Sequence, residues 1–184
     1  MDFKQQFIYQ IDYQHWANDA LFNALDRLDP AARTSPQKLY FGSLHNNIDH
    51  LLFFYGKWFA RLKGEPQTTG YTGTVHHDWR DLKNGMRREV REIQRWLERQ
   101  PQDFFDERLF FTRTRSGEEN SIWVRDALTH IFTYAATERG NLAAIAGTLG
   151  APFPALSYYN YRHEMGEHLH NMRQAASSVT ASGI

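Results

Sequence analysis

The chain has 184 residues, which suits one domain with a single sizeable hydrophobic core. Its 21 basic and 21 acidic residues balance, which argues against nucleic acid or a membrane surface as the main partner, because both favour a basic protein. The chain has no cysteine, which excludes disulfides, thiolate nucleophiles and cysteine-based zinc sites, so any metal must be held by histidine and carboxylate side chains.

The first two amphipathic stretches predict long helices. Apolar residues near helical spacing predict a helix from Asp2 to Leu28, ended by Asp29-Pro30. A polar connection leads to a second helix, which ends at Gly64-Glu65-Pro66 and has an apolar face of Leu44, Ile48, Leu51, Tyr55, Trp58 and Leu62. Residues 64–78 are rich in Gly and Thr and predict a surface loop, in which His76 and His77 are expected to be solvated.

The second half of the chain predicts two more long helices and some shorter elements. A third helix runs from Trp79 to just before Pro101. Residues 107–115 alternate imperfectly and carry Thr and Phe, which favours a short strand or one arm of a hairpin. Ser121 is a reasonable N-cap for a fourth helix, which closes near residues 147–150. Shorter helices are predicted around 155–164 and 167–176.

Four long amphipathic helices joined by loops predict an all-α four-helix bundle. We assign residues 1–165 to one bundle domain and residues 166–184 to a tail that is partly helical. No apolar run approaches the ~20 residues of a membrane-spanning helix. The opening MDFKQQFIYQ lacks the apolar block of a signal peptide, so we expect a cytoplasmic protein.

One carboxylate interrupts the apolar face of the fourth helix. Eight residues alternate in steps of four and three, and all but Glu138 are apolar: Val124, Leu128, Ile131, Ala135, Glu138, Leu142, Ile145 and Leu149. An ionised carboxylate without a partner in a packed core costs several kcal/mol. Glu138 therefore needs a cation, a metal, a proton or water, and we expect any chemistry of this chain to lie there.

The spacing of polar residues on the fourth helix limits which of them could share a metal. Tyr134 lies four residues from both His130 and Glu138, whereas His130 and Glu138 are ~12 Å apart along the axis, too far for one ion. Either neighbouring pair needs a residue from another helix, and His50 on the second helix is the natural candidate. Arg139 points ~100° away from Glu138, so we expect it to pair elsewhere or to face the loops.

Three segments of the chain resemble the signature segments of the DinB-like family: YQHWANDALFNAL (13–25), SLHNNIDHLLFFYGKWFARLKGE (43–65) and HIFTYAATERGNLAAIAGTLG (130–150). The resemblance implies a four-helix bundle, commonly dimeric, with a divalent metal in many members. Such proteins commonly hold the metal with one His on the second helix and a His-x-x-x-His pair before Arg-Gly-Gln on the fourth.

The resemblance places the metal site at His50, Tyr134 and Glu138, but two of the three expected imidazoles are replaced. A neutral phenol is a poor ligand, because its pKa lies near 10. Metal sites normally have three or four good protein ligands. We therefore favour a satisfied polar cluster over a retained zinc or nickel ion, which would be absent or weakly bound.

Two main functions remain open from the sequence, beside a purely structural homodimer that makes no use of a pocket. The resemblance implies a metal-dependent hydrolase or thiol-transferase with a degraded metal site, acting on a small-molecule substrate. The alternative is a non-catalytic, dimeric small-molecule-binding or stress-associated bundle that has lost the metal. A homodimer is implied by the family alone, and whether the protein is an enzyme stays undecided.

Overall fold

The computed structural model of the protein describes residues 2–65, 70–114 and 116–166. Four long helices dominate: α1 (Phe3–Leu25), α3 (Leu44–Leu62), α4 (Trp79–Arg99) and α5 (Val124–Thr148). A short helix α2 (Pro30–Thr34) follows α1, and a 3-10 helix (Gln102–Asp106) follows α4. The all-α four-helix prediction is confirmed, together with the small hairpin described below.

Polar side chains fix where three of the long helices begin. Asp2, Ser43 and Asp78 are the N-caps of α1, α3 and α4, and each side chain accepts a hydrogen bond from the amide three residues later. These bonds satisfy amides that have no partner within the helix. The first helix ends at Leu25, earlier than the predicted Leu28, and Asp29-Pro30 begins α2 with Asp29 as its cap.

A two-stranded hairpin precedes α5. Strand β1 (Arg108–Thr112) pairs antiparallel with β2 (Glu119–Trp123), so the strand predicted at 107–115 is confirmed. The predicted N-cap Ser121 is wrong, because this residue pairs with Phe110 inside the hairpin. The helix begins three residues later at Val124, and its capping residue Trp123 makes no side-chain cap bond.

The four long helices enclose one hydrophobic core. Helices α1 and α3 each pack against both α4 and α5, so every long helix contributes its apolar face to the interior. A close approach occurs at Gly85, where an added Cβ would lie only 2.9 Å from Leu52 Cδ2. No helix in the described ranges is long and apolar enough to cross a membrane.

The chain divides after Phe153 into two compact units. The bundle and its hairpin belong to the first unit. In the second unit residues 158–166 are helical, which agrees with the short helix predicted around 155–164. The helix predicted at 167–176 lies outside the described residues, and the predicted domain boundary at residue 165 stays a prediction.

Candidate ligand cleft

A cleft of about 700 Å³ opens between α3, α5 and the loop that precedes α4. Its walls include His50, Phe53 and Lys57 from α3, Tyr134 and Glu138 from α5, and Tyr71 from the loop. The three residues predicted as a metal set, His50, Tyr134 and Glu138, thus line one space. Their role as ligands stays a prediction.

Ring contacts between α3 and α5 define how the cleft is oriented. Phe54 stacks on Tyr134 with centroids 4.1 Å apart, and Trp58 meets His130 at 5.0 Å. A step of four residues towards the C-terminus of α3 therefore matches a step of four residues towards the N-terminus of α5, as expected for antiparallel helices. Extending this register places Glu138 near the level of His50 and about 10 Å along the axis from Lys57, at 1.5 Å per residue.

His50 is a neutral imidazole packed among aromatic rings. Its ring stacks on Phe41 at a centroid distance of 3.9 Å and meets the edge of Tyr71 at 5.0 Å. Burial lowers the pKa of His50 to about 4, against an opposing effect of the Asp49 charge. The Nδ1 atom is buried and has no hydrogen-bond partner among the described residues. At neutral pH the ring therefore offers a lone pair rather than a positive charge.

Glu138 is half-buried at the same end of the cleft. Burial raises the pKa of its carboxyl group, while a hydrogen bond from the Tyr134 hydroxyl lowers it in part. Burial, together with the Glu138 charge, raises the pKa of Tyr134 to about 12, so the phenol keeps its proton. Within the described ranges no cation forms an ion pair with Glu138; the predicted need for a partner is met in part by this phenol.

The opposite end of the cleft is cationic. Lys57 lies 5.8 Å above the Phe53 ring, and burial and the charge of Arg61 lower the pKa of this lysine. The Arg61 guanidinium is held between Trp58 and Phe111, 4.7 and 4.4 Å from their ring centroids. Neither cation has a carboxylate partner in the part of the chain that the structure describes.

The comparison with known protein families agrees with this architecture. A model of the DinB family matches residues 4–174, which is most of the chain. The chain belongs to the DinB family. No curated protein matches its sequence significantly.

In this DinB-family protein, Asp49 anchors the loop that forms one wall of the cleft. Its buried carboxylate accepts hydrogen bonds from the amides of Val75 and His76, from His76 Nδ1 at 2.7 Å and from the Tyr71 hydroxyl at 2.9 Å. Burial would raise the pKa of Asp49, but these bonds outweigh it and lower the pKa. The prediction that His76 is solvated is wrong, whereas His77 is exposed as expected.

His45 holds the same loop from one turn earlier on α3. Its Nε2 lies 2.6 Å from the His76 carbonyl oxygen, so the ring donates a hydrogen bond there. His45 is therefore a buried, hydrogen-bonded histidine of the core edge. Asp49 was not among the predicted site residues. The sequence did carry one signal for its role: a single carboxylate on the inner side of a helix, four residues after His45.

Arg139, and not Glu138, is the fully buried charge of α5. It is 1% exposed, and its Nη1 donates to Asn18 Oδ1 at 3.0 Å across the bundle. Of the two expectations for Arg139, pairing elsewhere is confirmed by this hydrogen bond, and facing the loops is not. The sequence contains a second set of residues on this helix with the same alternating steps of four and three. All six are buried: Leu128, Phe132, Ala135, Arg139, Leu142 and Ala146. This set shares Leu128, Ala135 and Leu142 with the set that contains Glu138.

The donor groups in the cleft do not form a complete metal site of the usual kind. In the described ranges no three His, Asp or Glu side chains come together in a way that could hold an ion. His50 and Glu138 supply one imidazole and one carboxylate, and the third candidate, Tyr134, is a protonated phenol. Typical sites use three or four anionic or imidazole ligands, so this set fits a metal poorly.

Proposed function

We propose that this DinB-family protein binds a small organic molecule in the cleft between α3 and α5. Its volume of about 700 Å³ falls in the range of roughly 300–1,000 Å³ that is typical of small-molecule sites. Such sites combine apolar walls with a few polar groups that orient the ligand. Here the walls are the rings of Phe41, Phe53, Tyr71 and Tyr134, and the polar groups are at the two ends.

The observation that carries this proposal is the set of polar groups in an aromatic cleft that lack partners in the described chain. His50 Nδ1 and Thr114 Oγ1 are both buried without a hydrogen bond. Unsatisfied buried polar atoms cost about 1–3 kcal/mol each, so a folded protein retains them mainly where a ligand or water satisfies them. Both residues line the cleft, so these two atoms lie in the wall of the space that a ligand would fill.

The proposal is tested with N-phenyl-1-naphthylamine, an uncharged aromatic dye whose fluorescence rises in apolar surroundings. We expect saturable binding to the folded protein at one site per chain. Tyr134→Ala should weaken binding about three- to tenfold, because one aromatic contact contributes about 0.5–1.5 kcal/mol. Circular dichroism confirms that each variant is folded before it is titrated.

Phe110→Ala is the matched control, because Phe110 is 72% exposed on the hairpin and does not line the cleft. This variant should bind the dye as the wild type does. Equal loss in both variants, or no saturable binding at all, would contradict a ligand site between α3 and α5.

Metal-dependent catalysis is the second candidate, and one observation favours it. A neutral imidazole, His50, lines the same cleft as a carboxylate, Glu138, and both groups are metal ligands in other proteins. In this reading the protein is a hydrolase or thiol-transferase that uses zinc or nickel. The poor third donor is why we propose weak, substoichiometric metal and place small-molecule binding first.

Two further parts complete this proposal. We propose that the protein works as a cytoplasmic homodimer. The family resemblance alone supports the dimer, and the location stays a prediction from the sequence.

A further inference from the structure

Two opposite charges line the cleft and do not neutralise each other. Glu138 on α5 and Lys57 on α3 both border the same space, yet neither forms an ion pair with any described residue. The helix register separates them by about 10 Å along the axis, whereas an ion pair needs contact within about 4 Å. Each charge is therefore available to a ligand.

The surroundings of each charge favour one kind of ligand group. At one end the Glu138 carboxylate, beside the rings of Tyr134 and His50, favours a cation, since aromatic faces and a carboxylate both attract positive charge. At the other end Lys57 and the nearby Arg61 favour an anion.

The space between the two ends is apolar. Phe53 and Tyr71 contact each other with ring centroids 5.4 Å apart, and Tyr134 faces them from α5. Flat rings on these walls match a flat apolar body, which they would contact by stacking or edge-to-face packing. A long charged chain without such a body would leave these aromatic surfaces exposed to water.

We propose that the cleft binds a small bipolar molecule with a flat apolar body, an ammonium group at the Glu138 end and a carboxylate at the Lys57 end. This proposal rests on the proposed binding function and adds the chemical class of the ligand. A molecule with one charge would neutralise one end and bury the other charge without a partner, which costs free energy. A bipolar molecule satisfies both ends at once.

The test is a competition titration in which three compounds displace N-phenyl-1-naphthylamine. The bipolar probe is 4-(aminomethyl)phenylacetate, and its matched halves are 4-methylphenylacetate, which lacks the amine, and 4-methylbenzylamine, which lacks the acid. We expect the bipolar probe to bind at least about tenfold more tightly than either half, because a charge-assisted hydrogen bond contributes about 1.5–3 kcal/mol.

Two charge-removing variants assign the ends. Glu138→Gln should weaken the bipolar probe and the amine about tenfold and leave the acid unchanged, while Lys57→Met should weaken the bipolar probe and the acid and leave the amine unchanged. The inference is overturned if the bipolar probe binds no more tightly than its halves, or if either variant weakens all three probes equally. Dye binding separates the two proposals: retained dye with no bipolar preference rejects only the ligand class, and loss of all binding rejects both.

Discussion

At the scale of single residues, His50 links the chemistry of the cleft to the stability of the protein. Burial lowers the pKa of its ring from 6.5 to about 4. Between these values the unfolded chain holds a proton on this residue that the native protein does not. The contribution of His50 to the free energy of unfolding therefore falls as the pH falls from 6.5 towards 4. His15 and His130 act in the same direction, because burial lowers the pKa of each ring.

His50→Phe should flatten this pH dependence. A phenyl ring keeps the stacking on Phe41 and removes a ring nitrogen that has no described hydrogen-bond partner. At pH 7 the change in stability should be within about 1.5 kcal/mol, as for other swaps of similar volume. Urea unfolding at pH 7, 5.5 and 4.5 measures the effect, and the variant should lose less stability across this series than the wild type.

His77→Ala is the control for this series, because His77 is exposed in the loop. Its stability should follow the wild-type pH dependence. If His50→Phe and the wild type lose stability in parallel, His50 is not held neutral by the fold.

At the scale of helices and loops, the parts that depend on local sequence were predictable. The bounds of α3 and α4 follow from the N-caps Ser43 and Asp78 and from the apolar spacing that comes after them. Tertiary contacts decided the rest. Pairing of Ser121 with Phe110 overrides its tendency to cap a helix, because the hairpin satisfies the backbone there.

The candidate site was predictable only as far as helix faces allow. Spacing placed Glu138 and Tyr134 on one stripe of α5, and both line the cleft with His50. Two overlapping sets of residues on α5 have the same spacing, one with Glu138 and one with Arg139. Spacing alone could not show which set faces the core, so Arg139 was not recognised as the buried charge. Asp49 was missed because its partners, Tyr71, Val75 and His76, are more than 20 residues away in a loop with no periodic pattern.

The Asp49 anchor predicts how the loop depends on α3. Asp49→Asn removes a carboxylate oxygen that accepts from His76 and should lower the free energy of unfolding by about 2 kcal/mol at pH 7, since hydrogen bonds to charged groups contribute about 1.5–3 kcal/mol. Residues 70–78 should exchange amide hydrogens faster. Because the pKa of Asp49 lies below its ordinary value of 3.8, the stabilisation persists from neutral pH down to about that value and is lost as the pH falls further.

Asp103→Asn provides the comparison, because Asp103 is exposed on the 3-10 helix. Its stability and its exchange rates at residues 70–78 should match the wild type at pH 7. Unchanged exchange in Asp49→Asn would mean that the loop is held by its other contacts, such as the bond from His45 to the His76 carbonyl.

At the scale of the whole molecule, the hydrophobic core is built from side chains other than the proposed metal donors. The core draws on all four long helices, and it includes fully buried residues of each: Ile11, Leu51, Met86 and Leu128. The proposed donors come only from α3 and α5, at the edge of this core. Apolar burial, at roughly 25 cal/mol per Å², is the main favourable contribution to such a bundle.

Protein purified without a His-tag should therefore contain substoichiometric zinc or nickel by elemental analysis, and EDTA should leave its melting temperature unchanged. A site that is saturated at 100 times its Kd would add about 2.7 kcal/mol of stability. Its loss would lower the melting temperature by roughly 5–10 °C for a chain of this size. The prediction fails if one metal per chain is found, EDTA produces such a drop, and His50→Ala removes both effects. With no cysteine in the chain, EDTA cannot act by changing thiol oxidation, so a drop would report metal ligation by histidine and carboxylate groups.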